Sequence, residues 1–118
     1  MNWSAAGAVL LALAVAAGAF GAHALRARLD AYSMSVYEKA VFYHFIHAFG
    51  ILVVPLLLRA NAGRVCWPML AGIVLFSGSL YALAGSGVRA LGIVTPFGGI
   101  AFLVSWALLA YELVRQHA

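Results

Sequence analysis

The chain has 118 residues, of which 66% are hydrophobic and 8% charged, with a formal net charge of +4. A soluble domain carries about 25% charged residues, so this composition excludes a surface that faces water all round, and the length allows one domain. The basic residues sit at the ends of apolar runs, which points to interfacial anchoring and phosphate contact rather than nucleic-acid binding.

Ten charged residues divide the chain. Between them lie runs free of Asp, Glu, Lys and Arg at 1–25, 40–58, 65–88 and 90–111. Each is near the roughly 20 residues that cross ~30 Å of hydrocarbon as a helix. The reading is therefore all-α: a polytopic four-transmembrane-helix up-down bundle, with spans of about 3–25, 36–58, 65–84 and 96–114 and the lipid bilayer as its solvent. The first run lacks the basic start of a signal peptide and exceeds an apolar core of about 7–15 residues, so it reads as a retained span. Cys66 is a lone cysteine and offers neither an intrachain disulfide nor a zinc site.

In helix 1, Gly7, Ala14, Gly18, Ala22 and Leu25 share a stripe of mostly small residues that lets a second helix approach closely. His23, on a regular helix, falls about 140° from Gly18 and suits a cap at the bundle mouth or a carbonyl contact. Ser35 and Glu38 have capping-box spacing and predict a start for helix 2 near Val36. Pro55 removes a donor near its end. Asn61-Ala62-Gly63 predicts a tight turn, with Pro68 in the first turn of helix 3. Gly85-Ser86-Gly87 ends that helix, and Thr95-Pro96 predicts an N-cap and first residue for helix 4.

At 100° per residue, Tyr37, Ala40, His44, His47, Ala48, Ile51 and Pro55 share one face of helix 2. Phe42, Phe45, Ile46, Phe49, Val53, Leu56 and Leu57 share the other and suit lipid. With Lys39 at the interface, His44 and His47 lie about 8 and 12 Å deeper at ~1.5 Å rise per residue. Ionisable groups at that depth raise a functional question. Together with His23, Tyr43, Ser77 and Tyr81 they form a candidate polar core, and neutral side chains there can satisfy one another across helices. Ser77 and Tyr81 are the expected partners of His47. No complete metal-ligand set, carboxylate pair or phosphate loop accompanies them, so neither a catalytic residue nor a cofactor is assigned.

Several stretches together resemble one family. They are Gly18-Ala-Phe-Gly-Ala-His-Ala-Leu25, Tyr43 with His47, Leu75-Phe-Ser-Gly-Ser-Leu-Tyr-Ala-Leu83, Thr95-Pro-Phe-Gly-Gly99 and Trp106. In order and spacing over nearly the whole chain, they resemble the small membrane family called domain of unknown function 423 (DUF423), with its YgdD-like and YwdK-like bacterial proteins and the related transmembrane protein 256. The resemblance implies four spans in a bacterial inner (plasma) membrane and no assigned activity. It departs at His44, where the pattern carries a glutamine, which speaks against an obligatory His44–His47 metal clamp. It implies more basic charge after helix 4 than Arg115 supplies, and on that pattern both termini are cytoplasmic. Within these motifs Gly18, Gly21, Gly78, Gly98 and Gly99 suit close helix packing.

Three function classes remain. The leading one is a packing, accessory or assembly component of a homo-oligomer or larger membrane complex. The alternative is an oligomeric transporter or channel-like protein built on the inward polar set. The last is a redox, metal or quinone-binding protein, for which the residues offer least. An enzyme is not indicated.

Overall fold

The computed structural model describes the backbone of residues 1–118 and every side chain except that of Ala22. Four helices are long and apolar enough to cross a membrane. They are α1 (Trp3–Leu25), α2 (Ala31–Leu57), α3 (Ala62–Ser86) and α4 (Thr95–Gln116), the last entered through a 3-10 turn at Arg89–Ile93. The molecule measures 52 × 26 × 19 Å, long in the direction of its helices. Neighbours in sequence pack as neighbours in space: α1 lies on α2, α2 on α3, and α3 on α4. This zigzag leaves a seam between α1 and α4.

The chain is helical because an apolar segment in hydrocarbon must pair its own backbone groups. Details differ from the sequence reading where tertiary contact or a single cap decides. Helix α2 begins at Ala31, not Val36, because the Asp30 carboxylate accepts from the Ser33 N–H at 2.7 Å. Ser35 lies inside the helix, and its hydroxyl donates to the Tyr32 carbonyl at 2.7 Å instead of forming a capping box. The turn between α2 and α3 occupies residues 58–61 and closes on Asn61, whose φ of 66° is left-handed. Asparagine tolerates that conformation, so α3 can start at Ala62 with Gly63 already helical. Pro68 consequently lies inside α3 rather than in its first turn. Thr95 does not cap α4; it is the first residue of the helix, and its hydroxyl meets the Ser79 hydroxyl of α3 at 2.6 Å.

Asp30 supplies a test outside the spans. Its bond from the Ser33 amide holds the carboxyl below the usual carboxylate range. A depressed carboxylate stabilises the fold above its unfolded pKa, near 4, and that stabilisation is lost as pH falls through the lower folded value. Asp30→Ala should therefore speed amide exchange at residues 31–35 at neutral pH and much less at strongly acidic pH, whereas Ser35→Ala should leave it unchanged. Equal exchange in Asp30→Ala and the parent at neutral pH would rule out the cap.

The stripe on α1 meets α2. A Cβ added at Gly7 would lie 2.5 Å from the Leu52 amide nitrogen and 2.7 Å from its Cα, so two backbones touch there. Nearby, the Ser4 hydroxyl donates to the Leu52 carbonyl at 2.9 Å. Gly18 faces Val41 and Phe45, while the Ala22 position in that stripe lies outside the described side chains. Two π-helical turns interrupt the ladders, at Ala17–Gly21 in α1 and Ile73–Ser77 in α3. Each adds about one residue to a turn, rotating the downstream residues by about 100° around the helix. Regular continuation to His23 therefore does not hold.

Candidate functional site

The two buried histidines lie on α2, and the other buried polar side chains, Ser77, Ser79, Ser105 and Glu112, lie on α3 and α4. His44 is 6% exposed and His47 4% exposed. Phe42, Ile46, Phe49, Leu56 and Leu57 point outward, because the apolar face of α2 is left to lipid.

Register between α2 and α3 is set by the Ser77 hydroxyl, which donates to the Ala40 carbonyl at 2.8 Å. Helical side chains lean toward their own N-termini, so in this antiparallel pair Tyr81 and His44 both lean toward the Ala40 level. The Tyr81 hydroxyl reaches Nδ1 of His44 at 2.9 Å. Tyr37 stands edge-on to Tyr81 at 5.5 Å, and its hydroxyl donates to the Ala17 carbonyl in the π turn of α1. Gly21 is where that ring enters, since any Cβ there would strike the Tyr37 hydroxyl. Three helices are thus tied by one tyrosine–tyrosine–histidine group. Nε2 of His44 is buried with no hydrogen-bond partner among the described residues, an exception to the rule that such atoms are paired.

His47 has different partners from those its spacing suggested. Three residues further along α2 it lies about 4.5 Å beyond His44 and past the reach of Ser77 and Tyr81. It turns instead to α4. The Trp106 indole N–H donates to Nε2 of His47 at 3.1 Å, and Nδ1 of His47 lies 2.7 Å from the Tyr43 carbonyl. A carbonyl only accepts and an indole only donates, so the ring is the neutral tautomer with its proton on Nδ1. Phe102 stacks on the imidazole with centroids 3.4 Å apart. Tyr43 joins the same stack, with Phe76 4.4 Å from it. Both nitrogens of His47 are committed.

The remaining candidates fall elsewhere. His23 is exposed near the end of α1 and makes no hydrogen bond among the described residues. Gly98 is buried against α3, where an added Cβ would collide with the Phe76 amide nitrogen and lie 2.8 Å from the Leu75 carbonyl carbon. Gly78 and Gly99 have nothing closer than 3.9 Å to such an atom, so they are not points of tight approach. Among the described residues no three His, Cys, Asp or Glu side chains gather as a metal site.

Two features escaped the sequence reading. Gly72 receives the Phe102 ring so closely that a Cβ would overlap it. Glu112, placed by sequence among the flanking charges, is 4% exposed and paired with Arg115 at 2.6 Å and Arg64 at 3.4 Å. A signal existed for it: Gly98, Phe102, Ser105, Leu109 and Glu112 recur at helical spacing, and all five are buried on α4. Ser105 completes that face by donating to the Val65 carbonyl at 3.0 Å.

The chain is 42% identical over 114 residues to the UPF0382 membrane protein YwdK of Bacillus subtilis, covering 92% of this chain and 93% of that protein. It is 44% identical over 112 residues to the UPF0382 membrane protein SERP0230 of Staphylococcus epidermidis, covering 92% of each. It is 43% identical over 106 residues to SSP2132 of Staphylococcus saprophyticus, covering 87% of this chain and 88% of that protein. No solved structure matches. Residues 17–99, which include both histidines of α2, Ser77, Tyr81 and the entry to α4, match the profile described as a protein of unknown function (DUF423), and the chain belongs to that family of membrane proteins.

Proposed function

We propose that this protein is a packing or assembly component of a larger membrane complex, placed in a bacterial inner membrane with both termini in the cytoplasm. The observation that carries the reading is the use of the polar interior. Ser4, Tyr37, Ser77, Tyr81, Ser105 and Trp106 each hydrogen-bond to a different helix. These groups hold the helices together, each contributing about 1 kcal/mol or less in a membrane. The polar groups are cross-links.

The outside supports the same reading. On either side of Trp106 runs an apolar groove, of about 500 Å³ beside Phe49 and Val53 and about 630 Å³ beside Phe42 and Leu103. The first opens along the seam between α1 and α4, where Leu11 faces Trp106 and Leu109. Such grooves match the ridges of further helices, and van der Waals fit drives association in lipid. For orientation, Arg59, Arg64 and Arg115 flank the end of the bundle that carries both termini and Arg26, Arg28, Lys39 and Arg89 the other, so the positive-inside rule is evenly balanced and the cytoplasmic termini rest on the family resemblance, whose pattern carries more basic charge after α4.

Native mass spectrometry of protein released from membranes in mild detergent tests the assignment. The expected mass exceeds one chain and falls to one chain when a bulky residue fills the groove from its half-buried lining, as in Val53→Trp. A parent protein that always emerges as a lone chain would overturn the reading. Orientation is read by labelling Ala118→Cys in intact spheroplasts; Cys66 is buried and should stay silent. Labelling by an impermeant reagent from outside would reverse the assigned topology.

A further inference from the structure

Three guanidinium groups and one carboxylate gather where α2 ends, α3 begins and α4 ends. Glu112 receives Arg115 at 2.6 Å, Arg64 at 3.4 Å and the Asn61 amide at 3.4 Å. Arg59 is the third cation, and its guanidinium makes no hydrogen bond or ion pair among the described residues. One buried carboxylate against three arginines leaves an excess of two positive charges. The shape is preformed. Gln116 accepts from the Arg59 backbone N–H at 2.8 Å and donates to the Leu57 carbonyl at 2.9 Å, fastening the end of α4 to the end of α2. Between them lies a cleft of about 230 Å³ lined by Arg59, Asn61, Glu112, Arg115 and Gln116.

We propose that this cleft binds the phosphate of an anionic phospholipid headgroup. Guanidinium groups present planar forks of N–H donors that match phosphate oxygens. Arg115 uses only part of its set on Glu112 and is steadied by the Tyr111 ring, 5.6 Å from its Cζ. Arg59 has its whole set free. The cleft opens immediately beyond Leu57 and before Ala62, the last and first residues of two spans, which is headgroup depth. A zwitterionic headgroup brings a cation to a cleft whose lining already has one positive charge in excess, with Arg64 beside it, so an anionic lipid fits better than a choline lipid. The opposite end of the bundle differs in kind. There Arg89 lies over the Tyr32 ring at 4.1 Å and Arg26 faces Glu38 at 3.9 Å, while Arg28 and Lys39 pair with nothing among the described residues, and no cleft there is lined by two cations. The inference is independent of the assembly role.

The experiment follows lipid retention on the full-length protein by native mass spectrometry, with stepwise delipidation in phosphatidylglycerol, cardiolipin or phosphatidylcholine. The parent should retain the two anionic lipids and release phosphatidylcholine first. Arg59→Gln should weaken retention about fivefold, the weight of one basic residue near a membrane surface. Its fold should persist, because only the backbone of Arg59 is used internally; an unchanged circular dichroism melt checks this. Arg59→Lys, which keeps the charge and loses the fork, should fall between. Arg28→Gln, which removes the same charge at the opposite end, should match the parent. Equal losses in Arg28→Gln and Arg59→Gln would overturn the site in favour of a diffuse field. Equal retention of phosphatidylcholine would overturn the anionic preference, and displacement by millimolar inorganic phosphate would overturn the lipid in favour of a free anion.

Discussion

Gly98→Ala should separate α4 from α3 and destabilise the protein by about 3 kcal/mol, the upper range for forcing an extra methyl into a packed interior. The added carbon would lie 2.7 Å from the Phe76 Cβ and 2.8 Å from the Leu75 carbonyl carbon. Those atoms include backbone within a continuous helix, so no rotamer change relieves the overlap. Either α4 moves outward or α3 deforms, and both break the Phe102 contact with Gly72 and the Ser105 bond to Val65. Gly99→Ala is the matched control, one residue away, where the nearest atom is the Phe76 ring at 3.9 Å. It should be neutral or slightly stabilising, since alanine is the better helix former. Reversible unfolding in mixed micelles, followed by Trp fluorescence, measures both. Equal stability of Gly98→Ala and the parent would refute the close approach.

His47→Lys should be comparably severe, by about 3 kcal/mol, the cost of placing an unpaired cation at the centre of a spanning helix. The imidazole is 4% exposed among Tyr43, Phe102 and Trp106, none of which carries charge. A lysine there meets an indole N–H donor and an aromatic ring in place of an acid. His47→Leu should cost only about 1 kcal/mol, because it loses one interhelical hydrogen bond and keeps apolar volume against Phe102. The Trp106 indole proton reports the specific contact. Its nuclear magnetic resonance shift should move in His47→Leu and stay in place in His44→Gln. A leucine variant as damaging as the lysine variant would show that the loss comes from shape rather than charge.

The inward face of α2 was legible because 100° per residue separates small and polar positions from Phe42, Ile46 and Phe49 without reference to any partner. Partners were less legible. His47 was paired with Ser77 and Tyr81 on spacing alone, yet those groups serve Ala40 and His44. The register of α2 on α3, set by one serine–carbonyl bond and a π turn, decides which residue stands at which level. A one-residue bulge leaves no mark in composition. Glu112 shows the converse: its burial accords with the spacing on α4, but its charge drew it to the surface in a linear reading.

What the sequence by itself determined is the number of apolar spans and the face of α2 turned inward. Those properties arise from transfer of apolar side chains to lipid and from helical periodicity, both of which act locally along the chain. Only the tertiary structure decided that His47 answers to Trp106 and His44 to Tyr81, and that Gly98 rather than Gly99 touches the facing backbone. These depend on the rotation and depth of one helix against another. In lipid that fit is settled by close packing and a few hydrogen bonds between distant residues, so it resides in the assembled helices and not in any one of them.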